Sequence, residues 1–200
     1  MKRRLPRSFY DRPTLEVARE LIGKVLVHRT PHGVASGIIV EAEAYIGEED
    51  PACHAAAGLT KRNYLLYGRP GIAYVYFNYG MHYLVNAVTE AEGSPAAVLI
   101  RALEPLTGLA VMRRRRAALS PNGHDLAAHA LCRGPGNLTR ALGITLEQNS
   151  ADLCGCHLFV EDRGLALEPV GWSPRIGINV GTDRPWRCFV AGHGAVSGRR

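Results

Sequence analysis

The sequence predicts an α+β fold in a single domain covering residues 1–200. The first observation is size, because 200 residues with 46% hydrophobic content suit one domain with a substantial core. The second is order along the chain. Segments with the alternating pattern of strands and segments with helical spacing follow one another without a regular strand–helix–strand rhythm, which argues against a doubly wound sheet.

The first predicted elements are a helix and a hairpin. Residues 11–22 predict a helix, because Asp11 can cap its start and the apolar residues that follow recur at helical spacing. Residues 24–29 and 38–45 alternate as strands do, and the PHGV turn lies between them. We therefore expect these two strands to pair.

The second of these strands carries an unusual row of polar side chains. Side chains two apart in a strand share a face, so Glu41, Glu43 and Tyr45 are predicted to point the same way. Residues 46–70, which include His54, predict a long polar loop. A loop of this length inside a compact domain is more often functional than not.

Residues 72–88, IAYVYFNYGMHYLVNAV, predict a second hairpin. Alternating residues lie on both sides of a central turn, Tyr79 to His82. Turn tips usually carry small polar residues, whereas this one carries Tyr and Met. The tip is therefore either a wedge that inserts into a partner or a segment buried under another element.

The remaining elements complete the mixed pattern. Strands are predicted at residues 96–105, 157–161, 175–180 and 187–191, and helices at 106–119, 125–132 and 137–142. Arg101 interrupts the apolar run of the strand at 96–105. A buried guanidinium without a partner would be costly, so Arg101 is expected to meet an anion.

Composition bounds the partners and the compartment. The net charge of +6 favours an anionic partner, nucleic acid first. No apolar run approaches the ~20 residues that span a bilayer, and no apolar stretch of a secretory signal follows the charged N-terminus. These features predict a cytoplasmic protein, nucleoid-associated in a bacterium, with no membrane partner.

The cysteines predict neither disulfides nor a metal. Five cysteines without framework spacing indicate reduced thiols. Cys154, Cys156 and His157 lie close together, but zinc sites usually combine CxxC-type pairs with a second pair elsewhere. No metal and no cofactor are predicted.

Several blocks in one order resemble the alkyladenine (3-methyladenine) DNA glycosylase family. The resemblance runs from about Phe9 to Ser197 and includes VEAEAYIGEEDPACH, RN at 62–63, PGIAYVYFNYGMHYLVN, VLIRALEPLTGL, CRGPGNLTRALGI and PRIGI. It implies a single mixed domain with a curved, largely antiparallel sheet flanked by helices and a protruding β-hairpin that inserts into DNA. Such proteins excise alkylated or deaminated purines from duplex DNA.

The resemblance assigns the catalytic roles. Glu43 matches the general base that activates a water, and Arg101 and the backbone carbonyl of Ile176 match groups that hold that water. Glu41 is the rival carboxylate on the same face, and its alternative role is a structural pair with an arginine. A structural ion pair also remains an alternative for Arg101.

The resemblance likewise assigns the pocket for the extruded base. Tyr45 and His54 match one aromatic wall, Tyr76 matches the opposite wall, and the backbone amides of Ala52 and His54 match donors to the purine. Asn86 matches a pocket residue that repels the exocyclic amino group of undamaged guanine. Core packing remains the alternative for the two tyrosines, and a satisfied polar group on a strand is the alternative for Asn86.

The DNA contacts follow from the predicted hairpin. Tyr79 matches the side chain that fills the gap left by the extruded nucleotide, and Met81 and His82 would lie beside it in the minor groove. Arg113 to Arg116 are consecutive, so on a helix they cannot all face one DNA backbone. Two alternatives remain for them, contact with DNA phosphates and a partly solvated helix face. RGPGN at 133–137 opens a predicted helix whose amides could meet a phosphate.

The resulting hypothesis is a monomeric base excision repair glycosylase. It would release 3-methyladenine, 7-methylguanine, hypoxanthine or ethenoadenine from double-stranded DNA and leave an abasic site. Lys2, Lys24 and Lys61 are the only lysines, and neither Lys24 nor Lys61 lies in a matched motif, so no lyase step is expected. The alternatives are a non-catalytic protein that binds damaged DNA and a carboxylate-based hydrolase of a free nucleoside or glycan.

Overall fold

One antiparallel sheet organises the chain in the computed structural model, which describes residues 3–78, 80–118 and 126–198. Nine strands belong to the sheet within these ranges. They are β1 (Arg3–Arg4), β2 (Val25–Thr30), β3 (Gly33–Ile46), β4 (Ala73–Asn78), β5 (His82–Val88), β6 (Ala96–Thr107), β7 (Leu158–Asp162), β8 (Val170–Ser173) and β9 (Arg187–Val190). The main order is β1-β7-β2-β3-β6-β5-β4, and β9 pairs with β3 and β8.

Helices and short turns cover the sheet. The α-helices are α1 (Arg7–Tyr10), α2 (Thr14–Leu21), α3 (Leu109–Ala117) and α4 (Pro135–Leu142). Short 3₁₀ helices lie at His54–Ala57, Tyr64–Tyr67, Ala128–Ala130 and Leu146–Gln148. All strand pairings between these elements are antiparallel. The predicted α+β class is therefore confirmed.

Strand β3 changes partners along its length, and the change occurs at the two buried glutamates, Glu41 and Glu43. Its first half pairs with β2, and residues 41–43 pair with β9 instead. Register shifts against β6 occur on both sides of Glu41. Bulges of this kind bend a strand and re-aim its side chains. Ala42 and Ala44 pack into the main core, while the acidic side chains point to the other face.

Two predicted helices begin later than the sequence pattern indicated. Asp11 does not cap α2; its amide bonds to the carbonyl of Arg7 and closes α1. The Glu90 carboxylate accepts from the backbone amide of Thr14, so the start of α2 is satisfied from a distant loop. The predicted helix at 106–119 begins only at Leu109, because β6 continues to Thr107 and Gly108 turns the chain at a φ of 83°.

The clearest errors in the predicted elements lie after residue 124. The predicted strand at 175–180 is a loop, and β8 at Val170–Ser173 pairs with β9 in its place. The predicted helix at 125–132 is a single 3₁₀ turn at Ala128–Ala130, with residue 125 outside the described ranges. Within the described part of the chain, no helix is long and apolar enough to cross a membrane.

Candidate active site

A cavity of about 450 Å³ opens where the end of β3, the turn end of the β4–β5 hairpin and the start of α4 meet. Binding sites for small ligands commonly fall in this range of volume. Its lining gathers most of the residues singled out in the sequence, from five separate segments of the chain. These residues are Tyr45, Ala52, His54, Tyr76, Asn78, His82, Leu84, Leu99, Arg101, Gly134 to Asn137 and Ile176 to Ile178.

Glu43 is fully buried and lies behind the cavity lining, where it contacts three lining residues, Tyr45, Arg101 and Ile176. Its Oε1 accepts from the Ile176 amide at 2.8 Å and lies 3.2 Å from Arg101 Nη1, and its Oε2 accepts from the Tyr45 hydroxyl at 2.8 Å. Burial raises the pKa of Glu43, and the charge of Arg101 and the two hydrogen bonds offset only part of that rise. A carboxylate with a raised pKa is a stronger proton acceptor, as a general base requires.

Glu41 is also fully buried, but its surroundings differ. Its carboxylate accepts from Arg101 Nε at 3.0 Å, from Arg187 Nε at 2.7 Å, and from the amide and hydroxyl of Ser197 at 2.7 and 2.9 Å. These donors use the acceptor capacity of a carboxylate. Glu41 is therefore the acidic centre of an ion-pair network. This arrangement matches the alternative role given above, a structural pair with an arginine.

Arg101 finds its anions within the protein. The guanidinium contacts Glu41 and Glu43, donates to Ser197 Oγ at 3.3 Å and reaches the Ile176 carbonyl at 3.4 Å. Its exposure is only 6%, yet it still lines the cavity. The two carboxylates satisfy this buried charge.

Ile176 touches both partners of the ion pair. Its amide donates to Glu43 and its carbonyl faces Arg101. Both backbone groups are available because residues 175–178 form a loop instead of the predicted strand. The predicted role of the carbonyl in holding a water is compatible with this position and stays a prediction.

The aromatic side chains are arranged differently from the expected walls. The rings of His54 and Tyr76 lie 4.5 Å apart between centroids, at 64° to each other. A base stacked between two rings needs about 7 Å, twice a van der Waals contact of ~3.5 Å. His54 and Tyr76 are thus neighbours here and not opposite walls. Tyr74, which sequence reasoning left out, holds His54 Nδ1 through its hydroxyl at 2.8 Å.

Two groups predicted to bind the base, the Ala52 amide and the Asn86 side chain, already make hydrogen bonds within the protein. The Ala52 amide donates to Asp50 Oδ1 at 3.2 Å. Asn86 is 4% exposed and lies outside the cavity lining, and its amide donates to the Tyr74 carbonyl at 3.0 Å. This hydrogen bond holds the Asn86 side chain against β4, and its role in the pocket stays a prediction.

The hairpin beside the cavity forms as expected from β4 and β5. Tyr79 lies outside the described residues. Met81 is 61% exposed, so its side chain is not buried under another element. His82 instead packs on α4, since a Cβ at Gly136 would lie 2.7 Å from the His82 ring. Insertion of this hairpin into DNA stays a prediction.

The arginine run on α3 points in several directions, as expected for consecutive helical residues. Arg114 is exposed, whereas Arg115 and Arg116 donate to the carbonyls of Ala141 and Leu131. Helix α4 begins inside RGPGN, and its first turn lines the cavity. A phosphate contact at that turn stays a prediction.

Sequence reasoning missed the residues that hold the buried acids behind the cavity. Arg187 and Ser197 complete the Glu41 network, and Asp50 pairs with Arg175. No local pattern could reveal them, because each pairing joins positions more than 100 residues apart. Among the described residues, no group of three or more His, Cys, Asp or Glu side chains could hold a metal ion.

Comparisons with known proteins identify the family of the chain. A protein of Methanocella arvoryzae is 50% identical over 199 residues, covering 98% of this chain and 96% of its own. Proteins of Chlorobaculum parvum (46% identity; 99% and 92% covered) and Bradyrhizobium diazoefficiens (49%; 94% and 88%) are also similar. All three are named as candidate 3-methyladenine DNA glycosylases. The family model described as Methylpurine-DNA glycosylase (MPG) matches residues 8–194, and the chain therefore belongs to the methylpurine-DNA glycosylase family.

Proposed function

We propose that this protein excises damaged purines from duplex DNA by flipping the nucleotide out and hydrolysing its N-glycosidic bond with a water activated by Glu43. The observation that carries the proposal is the Glu43 site itself. A buried carboxylate with a raised pKa lies beneath a cavity lined by aromatic rings. The names of the relatives favour 3-methyladenine as a substrate. Hypoxanthine, 7-methylguanine and ethenoadenine are the further candidates.

In the proposed first step, the damaged nucleotide leaves the base stack. Extrusion costs a few kcal/mol, and least for a damaged base. Stacking against an aromatic ring returns about 1–3 kcal/mol per base. Tyr45, His54 and Tyr76 supply the rings, and one ring of the His54–Tyr76 contact must move if a base is to lie between them. The exposed Met81 would enter the minor groove beside the vacated position.

In the proposed second step, a water between Glu43, Arg101 and the Ile176 carbonyl attacks the anomeric carbon of the sugar. While it is ionised, the Glu43 carboxylate stabilises the positive charge that develops on the oxocarbenium-like sugar, and it then takes the proton of the attacking water. The hydrogen bonds from Tyr45 and Ile176 fix both carboxylate oxygens. The C–N bond breaks, the purine leaves and an abasic site remains.

We further propose that the strand is not cut. A lyase step usually needs an amine that forms a Schiff base. Lys24 pairs with Asp162 at 2.7 Å, Lys61 is exposed on the 46–70 loop, and among the described residues no lysine lines the cavity. Double-stranded DNA is the proposed partner of a monomeric enzyme.

The test compares wild type with Glu43→Gln on labelled duplexes containing hypoxanthine or a methylated purine. Wild type should release the base and leave a site that breaks only after alkali, whereas the variant should release the base about 10²–10⁴-fold more slowly. Strand breaks before alkali treatment would contradict the absence of a lyase step. Full activity of the variant would move the general base away from Glu43.

A non-catalytic protein that binds damaged DNA is the second candidate. It would use the same cavity and hairpin, but a buried anion near DNA offers it no advantage. Tight binding of both lesion duplexes without release of either base would favour this alternative.

A further inference from the structure

We propose that the buried Asp50–Arg175 ion pair is a positioning element that fixes the two loops of the cavity and, through them, the Glu43 carboxylate. Both side chains are fully buried, and the pair is bidentate, with Arg175 Nη1 2.5 Å from Asp50 Oδ2 and Nη2 2.7 Å from Oδ1. The inference rests on the proposed function, because it assigns a role within the same site.

The pair joins three segments of backbone. Asp50 accepts from the amides of Ile46 at 3.3 Å and Ala52 at 3.2 Å. Arg175 donates to the carbonyls of Ala44 at 3.1 Å and Gly181 at 3.3 Å. The end of β3, the loop that carries Ala52 and the loop that follows Arg175 are therefore connected at one point.

Arg175 also supports both hydrogen-bond donors of Glu43. Its guanidinium stacks on the Tyr45 ring at 4.6 Å, and the hydroxyl of that ring donates to Glu43 Oε2. Its neighbour in the chain, Ile176, donates its amide to Glu43 Oε1. On its other side Arg175 lies 5.1 Å from the ring of Trp186, which completes a layered stack.

Loss of the pair should therefore displace Tyr45 and Ile176 without removing any group that touches the substrate. A displacement of about 1 Å at a catalytic group can cost roughly 100-fold in rate. The groups facing Glu43 are Arg101, Glu41, Tyr45, Tyr76 and the Ile176 amide, with Arg175 behind them. Of these groups, Tyr45 contacts Arg175 and Ile176 follows it in the chain, so these two are expected to move when the ion pair is lost.

The test uses the double variant Asp50→Asn/Arg175→Met, which leaves no unpaired buried charge. Single-turnover excision of hypoxanthine from duplex DNA should fall roughly 100-fold relative to wild type. The acid limb of its pH profile should move to higher pH, because the two hydrogen bonds that lower the pKa of Glu43 are weakened. Glu161→Gln/Arg163→Met, which removes an ion pair in and beside β7, is the control that keeps wild-type kinetics.

A second measurement separates this inference from the proposed function. The pKa of the Glu43 carboxyl, followed by ¹³C NMR in the DNA-free protein, should rise in the double variant and stay unchanged in the control. An unchanged Glu43 pKa in a folded double variant overturns the positioning role, whatever the wild type excises. The single variant Arg175→Lys keeps the positive charge but lacks the planar guanidinium. If its rate and its Glu43 pKa change as in the double variant, the planar bidentate contact is the required feature; wild-type values of both would overturn the role of the stack.

Discussion

Replacing each buried glutamate by glutamine separates the structural carboxylate from the catalytic one. The two side chains lie two residues apart on β3 and are equally buried. Glu41 is bonded by Arg101, Arg187 and Ser197, and Glu43 by Tyr45, Ile176 and Arg101. We expect opposite effects from the same chemical change.

Glu41→Gln should chiefly lower stability. It removes the anion that neutralises two buried guanidiniums, and breaking a buried pair from one side costs about 3–5 kcal/mol. That is a large part of the 5–15 kcal/mol that typically holds a domain folded. For a chain of this size it corresponds to a melting temperature lower by roughly 6–20 °C.

Glu43→Gln should chiefly abolish catalysis. The glutamine oxygen can still accept from the Ile176 amide, and its amide can donate to the Tyr45 oxygen, so the contacts survive with one role reversed. Excision should fall about 10²–10⁴-fold through loss of the base. Because folding raises the pKa of Glu43, the ionised side chain lowers the free energy of unfolding at pH values above that pKa. Glutamine carries no charge, so the variant should melt no lower than wild type at neutral pH.

Thermal melting by circular dichroism and single-turnover excision of hypoxanthine from a labelled duplex measure the two effects on the same preparations. A Glu41→Gln protein that melts like wild type would refute the role of Glu41 as the centre of the ion-pair network. A Glu43→Gln protein that keeps wild-type turnover would refute the reading of Glu43 as the base.

Three further changes test the site from other directions. The single-turnover rate of wild type should fall as the pH drops through the raised pKa of Glu43, and the residual rate of Glu43→Gln should lack this limb. Ser197→Ala should cost about 1.5–3 kcal/mol in urea unfolding, because its hydroxyl bonds two charged groups, Glu41 and Arg101; an unchanged midpoint would contradict that role. Gly136→Ala should weaken duplex binding in fluorescence anisotropy, because the new Cβ would displace His82 beside the turn of the hairpin. The control is Gly194→Ala, where a new Cβ meets only ordinary van der Waals contacts and binding should not change.

The alternation of side-chain types along the sequence correctly predicted the strands whose backbone hydrogen bonds are made within the sheet. The residues of β2 and β3 and those of β4 and β5 alternate, and each of these two predicted hairpins pairs as expected. The segment at 175–180 also alternates, yet its amide at Ile176 bonds to the Glu43 side chain instead of a strand. A pattern of side chains cannot show where a backbone amide is used, and that is why this strand prediction was wrong.

The residues of the candidate site were found by motif, but their contacts were not. Tyr45, Tyr76 and Arg101 line the cavity as a group. The contact between His54 and Tyr76 and the bond from Asn86 to β4 depend on how strands and loops approach one another in space. Spacing along the chain carries no information on that approach.

The placement of charge explains how a basic protein can bury acids at its site. Among the described residues, the buried charged side chains are three acids and three arginines, and all six lie in or behind the cavity lining, as its floor. They are Glu41, Glu43, Asp50, Arg101, Arg175 and Arg187. With every acid ionised the floor is neutral, so the net charge of +6 belongs to the rest of the chain, where it can attract a polyanion.

Within that neutral floor the three carboxylates differ in how fully they are bonded. Arg175 binds both oxygens of Asp50, and arginines and a serine surround Glu41. Glu43 shares Arg101 with Glu41 and takes its other bonds from uncharged groups, the Tyr45 hydroxyl and the Ile176 amide. Burial raises the pKa of Glu43, and its chemistry follows from the incomplete compensation of its charge.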